Sequence, residues 1–235
     1  MKNRIFSSDN PKAIKAQKYG WSNAIHYMAP ARLAGVGNLC PSASAGCINL
    51  CLGTESGAAT YYPSVIQSRI AKARRFMKER HAYLKDMSKA IQAEIRKARK
   101  HGVKLCVRPN GSTDVAFEGI RDGDGQTLVE RFPDVQFTDY TKSVKRALAF
   151  ATGKLPRNYH LTFSRSETND ADCLRVLQAG GNVAVVFRHK PTHWQGYPVI
   201  DGDAHDLRHL DPRGVVVALS PKGNKAKRDK SGFVL

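Results

Sequence analysis

Residues 104–114 read KLCVRPNGSTD: five residues of strand character, Lys104 to Arg108, run straight into a polar turn built on Pro109, Asn110, Gly111, Ser112, Thr113 and Asp114. The apolar half is short, and the Pro-Asn-Gly segment cannot continue it. The same pattern recurs downstream. Val135-Gln136-Phe137 runs into Thr138 to Lys142, Tyr159 to Phe163 into Ser164-Arg165-Ser166-Glu167, and Val183 to Phe187 into Arg188-His189-Lys190. A helical segment to about Ala151 follows the first of these, and one from Asn169 to Gln178, closed by Gly180 and Gly181, follows the second. Upstream, Ala24 to Ala29 reads as a first strand ending at Pro30, and Val215 to Leu219 as a last one after a less regular stretch from Pro198 to Leu210. Strand and helix signals in alternation predict an α/β fold with a mainly parallel sheet. About six strands are fewer than a closed barrel needs, so the expected architecture is a partial (βα) barrel, with a flat doubly wound sheet as the alternative. In the barrel, all the polar strand ends open on one face, where such folds place their chemistry.

The rest of the chain is consistent with one domain. At 235 residues, 41% hydrophobic and 25% charged, with no internal repeat, it falls in the globular class. No apolar run approaches a membrane span, and the N-terminus lacks the apolar core of a signal peptide, so a cytoplasmic address is expected. The expected division is a basic arm at 1–23, the barrel at 24–220 with a cysteine loop at 38–53, and a basic tail at 221–235. The net charge of +18 is uneven. Residues 64–100 hold twelve Lys and Arg against three acids, residues 1–20 five against one, and residues 221–235 five against one. Apolar positions Ile66, Ile70, Ala73 and Met77, then Leu84, Met87, Ile91 and Ile95, recur at helical spacing, and Gly102 closes the second set. Residues 64–100 are therefore two amphipathic helices with basic outer faces. They suit nucleic acid or a host protein as partner, a solvated face being the plain alternative, and nothing suits a membrane.

Cys40, Cys47 and Cys51 fall within twelve residues in a loop rich in Gly, Ser and Ala, whereas Cys106 and Cys173 lie far away. Small residues let a backbone wrap closely around a compact object. Three thiolates can hold three irons of a [4Fe-4S] cluster and leave the fourth open. Zinc would need a fourth ligand from His26, His81 or a distant cysteine, and three buried free thiols are the remaining reading. Cys106 shares a strand face with Arg108 and is the first candidate for a fourth ligand.

A cysteine loop after the first strand, followed by βα units, resembles the layout of the radical S-adenosylmethionine enzymes. That resemblance covers roughly Ile25 to Phe187. It implies a [4Fe-4S] cluster on the three cysteines and S-adenosylmethionine at the fourth iron. The usual spacing there is C-x3-C-x2-C; here it is C-x6-C-x3-C, and Pro109-Asn110-Gly111 stands where that family has a Gly-Gly-Glu-like segment. The chain also resembles a family encoded by tailed bacteriophages through Met28-Ala29-Pro30, the cysteine loop, Val107 to Asp114, Phe137 to Lys142, Leu161 to Glu167 and Asp201 to Asp206. This second resemblance implies a viral origin, hence the host cytoplasm, and a radical-SAM-like iron–sulfur fold.

Arg108, Asn110, Asp114, Asp139, Ser164, Arg165 and Ser166 stand at the polar strand ends and are the candidate ligand-binding residues, with the arginines as forks for an anionic group. Turn and cap roles suit Asp114, Ser166 and Asn169 as well. The run Asp201 to His209 is dense in carboxylates and imidazoles; it reads either as a cation site or as a tight turn tied to Arg208. No phosphate loop, dinucleotide fingerprint or nucleophile elbow is present. Two classes of function follow: an enzyme binding S-adenosylmethionine or a similar chelating ligand at an open iron, or a non-catalytic cluster protein that docks through its basic helices.

Overall fold

The computed structural model of the chain describes residues 4–8 and 15–235. Among these residues nine strands form one open, mostly parallel sheet. They are β1 (Phe6–Ser7), β2 (Trp21–His26), β3 (Lys104–Arg108), β4 (Gln136–Thr141), β5 (Tyr159–Ser164), β6 (Asn182–Val186), β7 (His193–Trp194), β8 (Tyr197–Asp201) and β9 (Val216–Leu219). Their spatial order is β1-β2-β3-β4-β5-β6-β9-β8-β7. From β2 to β8 every neighbour is parallel, and β1 and β7 close the two ends as antiparallel edges. From β2 to β6 spatial order follows chain order, without the reversal that makes a doubly wound sheet.

The expected strands are present with shifted ends, and β1, β7 and β8 add to them. The first runs from Trp21, not Ala24, because Trp21 to Ile25 pair in register with Lys104 to Arg108. Short helices α1 (Ala45–Asn49) and α2 (Ala58–Tyr61) lie in the loop after β2. The basic pair follows as α3 (Pro63–Lys78) and α4 (Arg80–Lys100), then α5 (Leu128–Arg131), α6 (Val144–Ala151), α7 (Asp170–Gln178) and α8 (Asn224–Lys227). α4 buries Tyr83, Leu84, Met87, Ile91 and Ala98 at helical spacing. It stops where Gly102 takes a φ of 64°, a conformation open to glycine, and returns its amide to the Arg99 carbonyl.

Strand alternation separates two faces. Leu105, Val107, Phe137, Tyr159 and Leu161 pack with the buried side of α4, and Phe163, Val183, Val185, Val216 and Ala218 with α6 and α7. Cys106 points the other way, against Leu207. There a short 3-10 turn, Arg208–Leu210, lies against β4 and β5, with Arg208 wholly buried beside Asp211.

Buried and half-buried titratable groups tie stability to pH. His26 is held between the Pro109 carbonyl (2.9 Å) and the Tyr83 hydroxyl (2.8 Å), and burial lowers its pKa to about 3. Burial, with His209, Arg208 and Arg213 nearby, also lowers His160 to about 3. Both rings are neutral in the fold, so their contribution is complete above the unfolded value of 6.5 and is lost as pH falls toward 3. Burial raises Asp139 to about 6, which gives the opposite slope between about 6 and its unfolded value of 3.8. His209, lowered to about 4 by burial, and Asp211, raised to about 6 by burial, add one group of each sign, so the histidines outweigh the carboxyls. The thermal midpoint is expected to fall from about pH 7 to about pH 5, less steeply in His160→Gln and more steeply in Asp139→Asn.

Of the arm at 1–23, residues 1–3 and 9–14 lie outside the described residues; Phe6–Ser7 pair with β2 and Lys15 reaches the Asp203 carbonyl at 3.3 Å. The tail at 221–235 is basic as read, yet it packs onto the molecule. Ala226 and Val234 join Leu50 in a small core, and the Leu235 amide pairs with Val186 O at 2.9 Å. No helix among the described residues is long and apolar enough to cross a membrane.

Candidate functional site

At the C-terminal ends of the strands a cavity of about 250 Å³ opens between the cysteine loop and the sheet. One wall is Cys40, Cys47 and Cys51; the other is charged and polar, with Arg108, Tyr140, Lys142, Ser164 and Asp206; Leu219, Phe233 and Val234 close the side. The thiols are presented by local geometry. Ala31 takes the left-handed φ of 48° and aims its amide at Cys40 Sγ, 3.2 Å away. The Gly53 amide points at Cys51 Sγ at 3.3 Å. Cys47 sits on α1, whose N-cap Ser44 accepts from the Cys47 amide.

Glu167, at the end of β5, clasps that helix. Its carboxylate accepts the Gly46 amide at 2.7 Å and the Ser44 hydroxyl at 2.8 Å. A Cβ on Gly46 would lie 2.7 Å from the Glu167 carboxylate, so any other residue here would push that carboxylate away from the helix. Burial pushes the Glu167 carboxyl up, but these two donors and the Lys142 charge outweigh it and hold the group below its ordinary range.

Burial raises all three thiols, Cys40 to about 12. Each partner thiolate raises Cys40 further, while Lys142 opposes the rise at Cys47 and Arg69 at Cys51. Negative sulfur at this wall therefore needs a compensating cation, and thiolate ligation to metal supplies one with release of protons.

The candidate ligand-binding residues divide into two groups. Arg108, Asn110, Asp114 and Ser164 line the cavity. Arg108 is buried, paired with Asp206 at 3.0 Å and stacked 4.7 Å over the Tyr140 ring. Lys142 donates to Ser164 Oγ at 3.1 Å and to the Arg165 carbonyl at 2.9 Å. Asp114 is engaged by the Lys142 amide (2.9 Å) and by Arg146 (2.5 Å), so it anchors the entry to α6. Asn110 ties its own loop through Thr113 and Val115.

Asp139, Arg165 and Ser166 do not line the cavity. Asp139 shares a strand face with Phe137 and supports Asn110 from behind, accepting its amide and side chain at 2.8 Å and the Tyr159 hydroxyl at 2.8 Å. Arg165 pairs with Asp170 at 2.7 Å and holds the Gly232 and Phe233 carbonyls, fixing the tail. The Ser166 amide is bound by Asn169 in a turn. Tyr140, Asp206, Lys15, Lys222 and Phe233 also line the cavity, beyond the residues expected from the sequence. Tyr140 was legible: it has the parity opposite to Phe137 on β4. In the run from Asp201 to His209, Lys190 engages Asp201 at 2.5 Å and Asp203 at 2.7 Å, and Arg208 holds the His205 carbonyl at 2.5 Å, which fits the tight turn.

Cys106 is wholly buried on the sheet, with Sγ 3.9 Å from His209 Nδ1, and Cys173 is buried on α7 near Asn169. Neither lines the cavity. His26, named beside His81 as a fourth zinc ligand, is engaged by Tyr83 and Pro109. Among the described residues no three of His, Cys, Asp and Glu are placed to hold a single metal ion.

The family model for gene product 88 matches residues 4–235, nearly the whole chain. The chain belongs to the gene product 88 family. This is a family of phage-style gene products, in keeping with the resemblance to bacteriophage proteins. No curated protein and no solved structure shows significant similarity to this gene product 88 member.

Proposed function

We propose that this gene product 88 member is a [4Fe-4S] protein whose Cys40, Cys47 and Cys51 hold three irons, the fourth remaining open to a chelating small ligand such as S-adenosylmethionine. The observation that carries the reading is the wall of three thiols from one loop, two of them receiving backbone amides, facing a charged wall across a cavity that no fourth cysteine lines. The donor set fits: thiolates are the usual ligands of such clusters, and Lys142 and Arg69 offset the negative charge the bound group would bring.

Such a cluster supplies one-electron chemistry and, at an open iron, a coordination position. The chain supplies the rest. Arg108 and Lys142 put positive charge on the wall and Asp206 and Asp203 negative charge, each held in place by partners within the fold, and Phe233 and Leu219 give an apolar side that limits water. The fold we propose to carry this is a partly curled barrel. Sequential parallel strands with right-handed connections put their helices on one face, and the opposite face is lined by Cys106 and roofed by Leu207.

The test is spectroscopic. Adding S-adenosylmethionine to the reduced protein should change its electron paramagnetic resonance spectrum, and Cys106→Ala should leave the cluster in place. A spectrum indifferent to S-adenosylmethionine, together with iron loss in Cys106→Ala, would mean a closed, non-catalytic site.

A further inference from the structure

α4 carries a feature the cavity does not use. Its inner side is fixed by Tyr83, Leu84, Met87, Ile91 and Ala98, so its outer side is a rigid display. Lys85, Lys89, Arg96 and Lys100 are all exposed on that outer side. At 100° per residue they fall within an arc of about 60°, and at 1.5 Å per residue the row is about 22 Å long. Exposed Gln92 and Ala93 fill the gap between Lys89 and Arg96 without adding charge or bulk that would hold a partner away.

The acids of the helical pair are turned elsewhere. Glu79 and Asp86 pair with Arg75 at 3.4 and 2.6 Å, and Glu94 meets Ser8 at 3.3 Å. Among the described residues none of the four cations pairs with a carboxylate of the chain. A membrane-surface helix would show large apolar side chains beside its cations. None of the exposed large apolar residues of the described chain lies on α4.

We propose that this row is a docking surface for duplex DNA, contacted through its phosphate backbone without sequence preference. Charge complementarity argues for it: about 22 Å of duplex axis carries about thirteen phosphates at one per about 1.7 Å, shared between the two backbones that a straight row crosses. The cations stand on a straight rod, as the edge of a duplex requires, and the Gln92 amide can bond a phosphate oxygen between them.

The experiment is fluorescence anisotropy of the full chain with a labelled 20-base-pair duplex between about 50 and 200 mM salt. Four phosphate contacts predict that log Kobs against log salt loses a slope of about 3.6 in Lys85→Gln/Lys89→Gln/Arg96→Gln/Lys100→Gln. A control with the same charge change at other exposed sites, Lys145→Gln/Lys154→Gln/Arg157→Gln/Lys227→Gln, should keep most of the wild-type slope. Glutamine is nearly as good a helix former as lysine, and circular dichroism checks that both variants fold. Equal losses in the two variants would overturn the assignment, since net charge alone would then account for binding. No binding to the duplex at about 50 mM salt, or tighter binding to phosphatidylserine vesicles than to the duplex, would overturn it as well.

Discussion

Cys47→Ser, prepared and kept without oxygen, should emerge colourless and without iron, and Cys40→Ser and Cys51→Ser should behave alike. Each serine replaces a soft thiolate by a hydroxyl that is a poor ligand for iron, and three protein ligands leave no redundancy. Cys106→Ser and Cys173→Ser should keep the full complement, about four irons per chain, because both thiols lie outside the cavity, against His209 and Asn169. Iron and sulfide analysis of the five variants reads this directly. Retention of iron in all three loop variants would remove the loop from the site.

The second large effect concerns folding. Arg108 and Asp206 form a pair whose side chains are 10% and 8% exposed, with Arg108 also over Tyr140. Removing one charge leaves the other buried and uncompensated, a cost of about 3–5 kcal/mol. Asp206→Ala should therefore lower the thermal midpoint by about 6–20 °C for a chain of this size. Replacing both members by apolar residues, as in Arg108→Met/Asp206→Leu, should recover much of that loss, because no charge is then stranded. A drop equivalent to less than about 1 kcal/mol in Asp206→Ala, the worth of an exposed pair, would mean that water reaches it.

Strands β3 to β6 and β9 were legible because each is a compact apolar run with a polar, Pro-containing or Gly-flanked end. The α3–α4 pair was legible from its apolar spacing and Gly102. The edge strands were not. β1 and β7 are two residues each, and their pairing is decided by neighbours far along the chain.

The packing of the tail is not legible for a different reason. Its lysines advertise solvent, while its packing rests on Ala226, Phe233 and Val234 and on carbonyls bound by Arg165 and Arg188. In the site, the cysteine wall could be read from the loop alone. Asp139 stands among polar residues at a strand end, which suggests the pocket, yet it has the parity of Phe137 and so faces the helices. Arg165 likewise follows Phe163 by two residues, and its guanidinium turns to Asp170 and the tail. Asp206 could not be paired with Arg108 by reading, since 98 residues separate them.

The central claim is that the three loop thiols hold a four-iron cluster, and quantifying iron, acid-labile sulfide and zinc in protein expressed and purified without oxygen tests it most directly. The account predicts a brown protein with about four irons and four sulfides per chain. A colourless protein with one equivalent of zinc, or with no metal at all, would contradict it.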